Sequence, residues 1–242
     1  HPKKYSEKYK EHNPEKYGDT ISKVISKGST PAGMHISIMV DEILEFIEVN
    51  KRGRKKEKPM IIPVETSARH IHLSQEHVEA LFGAGHQLTP RKELSQPGQY
   101  ACVERCTIVG PKRSLENVSV LGPTRSASQI ELSLTDARSI GVDAPVRESG
   151  DIAGSGACKL VGPAGEVELT EGVLVAKAHI HMQTQEAAAA GYTDKQRVSV
   201  AFGSNGRKIV LEDVVVRTGD NYALAMHIDT DECNAACAFG EV

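Results

Sequence analysis

Two His-x-His pairs carry the strongest chemical signal in this chain. Arg69-His70-Ile71-His72-Leu73-Ser74 returns near the C-terminus as Ala178-His179-Ile180-His181-Met182. In an extended strand, side chains at i and i+2 leave the same face, so each pair aims two imidazoles at one point. That is a metal-ligand spacing. Both pairs share a frame: an apolar run, His-Ile-His, and the start of a short helix that closes on a glycine, Gly83 or Gly191, suited to a helix C-cap. A lone His-x-His is more often an ordinary polar strand face. Two framed copies point instead to two related half-sites for metal.

Each ion needs at least one or two further donors. His227, in Ala-Met-His-Ile-Asp, lies in a third apolar, strand-like segment and would complete a three-histidine set. Glu131 stands on the polar face of Ser128-Gln-Ile-Glu-Leu-Ser133, whose alternation sends Ile130 and Leu132 inward, and it is the best-placed carboxylate donor. Imidazole and carboxylate without thiolate suit zinc, with cobalt or manganese also open. Open coordination positions mark a catalytic rather than a structural site. Arg125, six residues before Glu131 on the turn Leu121-Gly-Pro-Thr-Arg, carries a planar fork that matches phosphate or carboxylate oxygens. Beside a metal ligand it reads as an anion clamp. His77 and His86 fall on a helix and a Gly-rich turn and are assigned structural roles.

These residues need a scaffold. A chain of 242 residues can bury a substantial core, as one large or two small domains. From Pro59 onward the pattern is short β segments: Met60 to Ser67, Tyr100 to Gly110, Asn117 to Gly122, a hairpin around Gly162-Pro-Ala-Gly165, and another around Gly203-Ser-Asn-Gly206. Thr135 is expected to cap a short helix that stops at Gly141. Strands with short capping helices, and no long βαβ alternation, predict small barrels. No glycine-rich phosphate loop of either common pattern is present. Phosphate must be held by side chains and other loops.

Composition excludes several classes of function. The net charge is −3 and the pI about 6.4, so no basic field points to nucleic acid. Aromatics are only 4% and tryptophan is absent, which argues against a stacking surface for single strands. No apolar run approaches the ~20 residues of a membrane span. A soluble protein without a secretion signal is expected, its five odd cysteines reduced and none catalytic.

Residues 1–59 differ from the rest. The first eighteen hold almost no aliphatic side chain and read as a mobile tail, followed by a helical turn over Thr20 to Lys27. From His35 to Val49, Ile36, Met39, Val40, Ile43, Leu44 and Ile47 recur at helical spacing and predict an amphipathic helix of about four turns. Lys51 to Lys58 is a charged linker. The helix either packs on the body of the protein or docks as a peptide in another protein's groove.

The segments Ser-Ala-Arg-His-Ile-His-Leu-Ser, Leu-Gly-Pro-x-Arg, Gln-Ile-Glu-Leu-Ser-x-Thr-Asp-Ala, Ala-Pro-Val-Arg-x-Ser-Gly-Asp, Ala-x-Ala-His-Ile-His and Met-His-Ile-Asp-Thr-Asp-Glu-x-Asn-Ala occur in this order. Together, over residues 60–242, they resemble the PduL-type phosphotransacylases, the phosphate propanoyltransferases of bacterial microcompartments. The resemblance implies reversible conversion of acyl-CoA and phosphate to acyl phosphate and CoA. It implies a mainly β fold of two small β-barrels capped by short helices, residues 60–68 plus 177–242 forming one and 69–176 the other, with residues 1–59 as an extension. It also implies two zinc ions per chain. His70, His72 and Glu131 would hold one, and His179, His181 and His227 the other. Arg125 would hold the attacking phosphate, and Ser67, Lys92, Leu121 and Asn234 would line the CoA site. Ser119 departs from the family, which often has a basic residue there; Arg91 beside Lys92 could compensate. A homo-oligomer, dimer or larger, is expected in the microcompartment lumen, with the N-terminal helix docking on shell or core proteins. Two rivals stand beside this reading: a dinuclear zinc hydrolase acting on a thioester, and a zinc-stabilised assembly module without catalysis.

Overall fold

The computed structural model describes residues 60–202 and 207–238 and the backbone of Glu48–Asn50, all within the compact unit Glu42–Val242. The expected tail, the Thr20 to Lys27 turn, the 51–58 linker, the turn at 203–206 and residues 35–47 of the amphipathic helix lie outside the described residues. Where the description reaches that helix, it corrects it. Glu48–Asn50 is a strand, β1, paired antiparallel with β12 (Arg197–Phe202) from Glu48↔Ala201 to Asn50↔Ser199. Pairing with a neighbouring strand overrides a local helical pattern at its end.

The remaining strands fall into two sheets. One takes β2 (Val64–Ser67), β11 (His179–Met182), β13 (Ile209–Thr218) and β14 (Ala225–Asp229) with β1 and β12, in the order β1-β12-β13-β11-β14-β2. The other holds β3 (His70–His72), β4 (Pro90–Glu93), β5 (Tyr100–Val109), β6 (Ser114–Gly122), β7 (Gln129–Glu131), β8 (Val146–Arg147), β9 (Gly156–Val161) and β10 (Glu166–Ala176). Its pairings β5-β6-β3-β7-β10-β9 return to β5 and close a six-stranded ring. Each sheet wraps its own apolar core. Val198, Val200, Phe202, Val214, Val216, Ile180 and Met226 fill the first. Alternation on β5 sends Cys102, Cys106 and Ile108 into the second, where they meet Ile71, Val120, Ile130 and Leu160. The fold is the mainly β, two-barrel architecture with short helices that the strand pattern predicts.

Four short helices follow four of these strands: α1 (Gln75–Phe82) after β3, α2 (Leu134–Ile140) after β7, α3 (Thr184–Ala189) after β11, and α4 (Thr230–Ala236) after β14. Hairpin tips dock against the open ends of the first two. The Ala164 amide donates to the Leu81 carbonyl and the Lys112 amide to the Ile140 carbonyl, both at 2.9 Å, so orphan C-terminal carbonyls are satisfied. The approach is close. A Cβ on Gly162 or Gly110 would lie 2.4 Å from those same carbonyl oxygens. Two capping expectations shift by a residue or two. Ser133, not Thr135, caps α2, accepting from the Asp136 amide, because the extended backbone ends at Ser133 and Thr135 already lies in the first turn, where its amide donates to Asp231 of α4 at 2.8 Å. Gly83 does follow α1, whereas α3 closes on Ala190, one residue before Gly191.

Candidate active site

The same register builds both histidine pairs into their barrels. β3 runs antiparallel to β7 with His70 opposite Glu131, and β11 runs antiparallel to β14 with His179 opposite His227. Each His-Ile-His strand thus presents two imidazoles and receives a third donor from its antiparallel neighbour. His70, His72 and Glu131 form one cluster and His179, His181 and His227 the other, with the potential ligand atoms of each within 4.8 Å of one another.

In the first cluster, His70 Nδ1–H donates to the Ala68 carbonyl at 2.8 Å. This directs the Nε2 lone pair inward, 3.2 Å from His72 Nε2 and 3.6 Å from Glu131 Oε2. The second cluster repeats the device, His179 Nδ1–H donating to the Lys177 carbonyl at 2.8 Å. Here the rings of His179 and His181 lie 4.7 Å apart, and those of His181 and His227 4.8 Å apart. The outer partners differ. Glu131 is gripped by Ser149 and Gln129, whereas Glu65 Oε2, which accepts from Ser95 at 2.5 Å, lies 3.7 Å from His227 Nδ1.

Electrostatics set the ligating protonation states. Burial drives His72, His179, His181 and His227 below the usual histidine value, aided at His72 by His70 and Arg125, at His179 by His227, and at His181 by His179. Burial by itself would raise Glu131, but the opposing pull of His70 and His72, the Ser149 hydrogen bond and Arg125 outweighs it and holds the carboxyl well below the usual range. Neutral imidazoles beside an ionised carboxylate are the form that binds metal. A second feature tests the fit. His227 Nε2 is buried without a hydrogen-bond partner while its Nδ1 lies against Glu65, so the orphaned Nε2 is the atom left for a cation, which would relieve a costly condition. Three nitrogen and oxygen donors per cluster, without thiolate, fit zinc with an open position. The clusters also act on each other, since the Glu131 charge counters the depression of His179, His181 and His227.

Arg125 stands half-buried beside the first cluster. Its amide donates to the Leu73 carbonyl at 2.8 Å, which fixes the turn to the residue after His72, and its Nη1 reaches Ser149 Oγ at 3.4 Å. Ser67 closes β2, Leu121 lies half-buried on β6, and Lys92 and Asn234 stand exposed on β4 and α4. These four occupy separate elements. Ser119 is paired across the β5–β6 ladder with Arg105, whose guanidinium donates to the Ser119 hydroxyl. A basic group therefore does reach this position, from the neighbouring strand. The histidines assigned structural roles have structural partners: His77 meets Ser128 at 2.7 Å and His86 meets Glu104 at 2.8 Å.

Sequence reasoning did not single out Gln129, Ser149 or Arg217. Gln129 shares the polar strand face with Glu131, a signal that was present, and Ser149 lies inside one of the family-like segments. Arg217, opposite His181 in the β11–β13 pairing, bears on His179, His181, His227 and Arg125. A lone arginine at the end of a strand carries no local signal of that position.

Residues 63–239 match the phosphate propanoyltransferase family. A phosphate propanoyltransferase of Thermotoga maritima is 50% identical over 199 residues, covering 82% of this chain and 94% of that protein. Those of Clostridioides difficile and Alkaliphilus metalliredigens are 47% and 45% identical, covering 84% and 83% of this chain and 94% and 92% of theirs. With the match spanning both barrels and both donor clusters, the chain belongs to the phosphate propanoyltransferase family.

Proposed function

We propose that this protein transfers a short acyl group, propanoyl or acetyl, reversibly between CoA and inorganic phosphate at a pair of zinc sites. His70, His72 and Glu131 would hold one ion and His179, His181 and His227 the other. The observation that carries this reading is the pair of three-donor clusters built on one strand register, the first set beside a half-buried arginine. Bound zinc would supply Lewis-acid polarisation of the thioester carbonyl and charge stabilisation for the departing sulfur. Arg125 grips phosphate and brings one of its oxygens into line with the acyl carbon. That oxygen bonds to the carbon, the carbon–sulfur bond breaks, and its electron pair leaves on the CoA sulfur. Acyl phosphate and CoA result.

No protein nucleophile is required. Burial pushes Cys102 up to about 11 and Cys106 and Cys158 up to about 12, so these core thiols stay protonated at neutral pH. Ser67, Lys92, Leu121 and Asn234 line the CoA site in this reading, and Arg105, resting on Ser119, adds a cation for its phosphates. The barrels serve as two domains, 60–68 plus 177–242 with β1 added to it, and 69–176, in a homo-oligomer. The segment ahead of β1 addresses the protein to a microcompartment lumen, a reading that rests on the amphipathic pattern of 35–47.

Elemental analysis tests the metal reading. Purified protein should hold about two zinc ions per chain, and replacing both His179 and His181 by Ala should remove one. A stoichiometry near one that this double variant leaves unchanged would remove the two-site account. For the address, residues 1–58 fused to a fluorescent protein should collect in shells, and diffuse fluorescence in shell-making cells would count against it.

A further inference from the structure

Resting on the two-zinc reading, we infer that Ser149 and Gln129 are positioning residues that tie the Glu131 metal ligand to the Arg125 phosphate clamp. Four hydrogen bonds join the group through one hydroxyl and one carboxylate oxygen. The Ser149 hydroxyl has one proton and two lone pairs. Its proton goes to Glu131 Oε1 at 2.7 Å, since an ionised carboxylate only accepts. Its lone pairs receive Gln129 Nε2–H at 2.9 Å and Arg125 Nη1–H at 3.4 Å. Gln129 Nε2 also donates to Glu131 Oε1 at 2.6 Å, closing a tight triangle with the Ser149 hydroxyl, and Gln129 Oε1 accepts from the Gly150 amide at 2.7 Å.

Two consequences follow for the site. Glu131 Oε1 is occupied by two donors, so the carboxylate cannot rotate freely, and Oε2, which faces His70, is left to hold the ion. One hydroxyl also bridges a metal ligand and the guanidinium proposed to grip phosphate, so disturbing the ligand disturbs the clamp. Among the described residues, the second cluster has no counterpart to this bridge. Ala225 stands opposite His181, where Gln129 stands opposite His72.

The test compares Ser149→Ala and Ser149→Thr with the wild-type protein, by zinc competition against a chromophoric chelator and by kinetics with phosphate varied at fixed acyl-CoA. Outer partners of a metal ligand are commonly worth about 10–100-fold in affinity. Ser149→Ala should weaken one of the two zinc ions by that factor, leave the other within about threefold, and raise KM for phosphate by about tenfold with little change in KM for acyl-CoA. Ser149→Thr should restore both. Two tight ions in wild type, with neither zinc constant nor phosphate KM altered in Ser149→Ala, would overturn the inference and leave the zinc reading standing. Equal weakening of both ions would assign Ser149 a general structural role and overturn it as well. Absence of any tight ion in the wild type would instead remove the zinc reading itself.

Discussion

Glu131 and His227 hold the same place in their two barrels. Each lies on a strand antiparallel to a His-Ile-His strand, directly across from its first histidine: Glu131 from His70, His227 from His179. The two half-sites therefore share one backbone plan and differ in one donor, carboxylate against imidazole. That difference places the formal negative charge of the centre on Glu131, where Arg125, His70 and His72 all act on it.

From this plan, Glu131→Ala should lose one zinc ion per chain while the His179, His181 and His227 set keeps the other. Turnover should fall on the order of 10²-fold or more, the size seen when a preorganised electrostatic contact is deleted. Glu131→His, which makes the first set resemble the second, should recover the ion. Metal analysis of the two variants checks this, and full zinc content in Glu131→Ala would contradict the assignment.

Arg125→Ala should lower turnover by about 10²–10³-fold, since it removes charge-assisted hydrogen bonds that align the nucleophile. Arg125→Lys should rescue only part, because a point charge lacks the planar fork. Zinc content and affinity for CoA should not move. Steady-state kinetics with phosphate varied, together with metal analysis of the same preparation, decide the matter; wild-type phosphate dependence in Arg125→Ala would eliminate the clamp.

How much of this was legible in the sequence varies residue by residue. His70, His72, His179 and His181 were legible because strand side chains repeat every two residues, and Glu131 because its segment alternates cleanly. His227 needed only an apolar strand frame. Ser149 was not, because it sits on a turn whose place beside Glu131 depends on β8 and β7 both pairing with β10. Arg105 reached Ser119 through a ladder register that no local pattern encodes, and so Arg91 was favoured in its place. β1 was hidden for the same reason: helical spacing is local, and its partner strand lies some 150 residues away.

A pH dependence follows from α4. Glu232 completes a capping box with Asp229, and burial, with the nearby Asp229 and Asp231 charges adding to it against the Asp229 amide hydrogen bond, pushes its carboxyl up from 4.5 to about 7. The fold thus prefers the uncharged form. Below pH 4.5 both folded and unfolded chains are protonated there and no penalty arises; it grows as pH rises and is complete above about 7. Glu232→Gln should therefore stabilise the protein at pH 8 by on the order of 1–3 kcal/mol and scarcely at all near pH 4.5. Thermal unfolding of both proteins across this range is the measurement. A stability difference that stays constant with pH would contradict the assignment.

The central claim is that phosphate itself attacks the acyl group at this centre. Its most direct test is thiol release from propanoyl-CoA by the zinc-loaded protein, with and without phosphate, while acyl phosphate is trapped in the same reaction. CoA should appear only when phosphate is present, one acyl phosphate forming for each thiol released. Equal release without phosphate, and no acyl phosphate with it, would make the protein a thioester hydrolase and contradict the account.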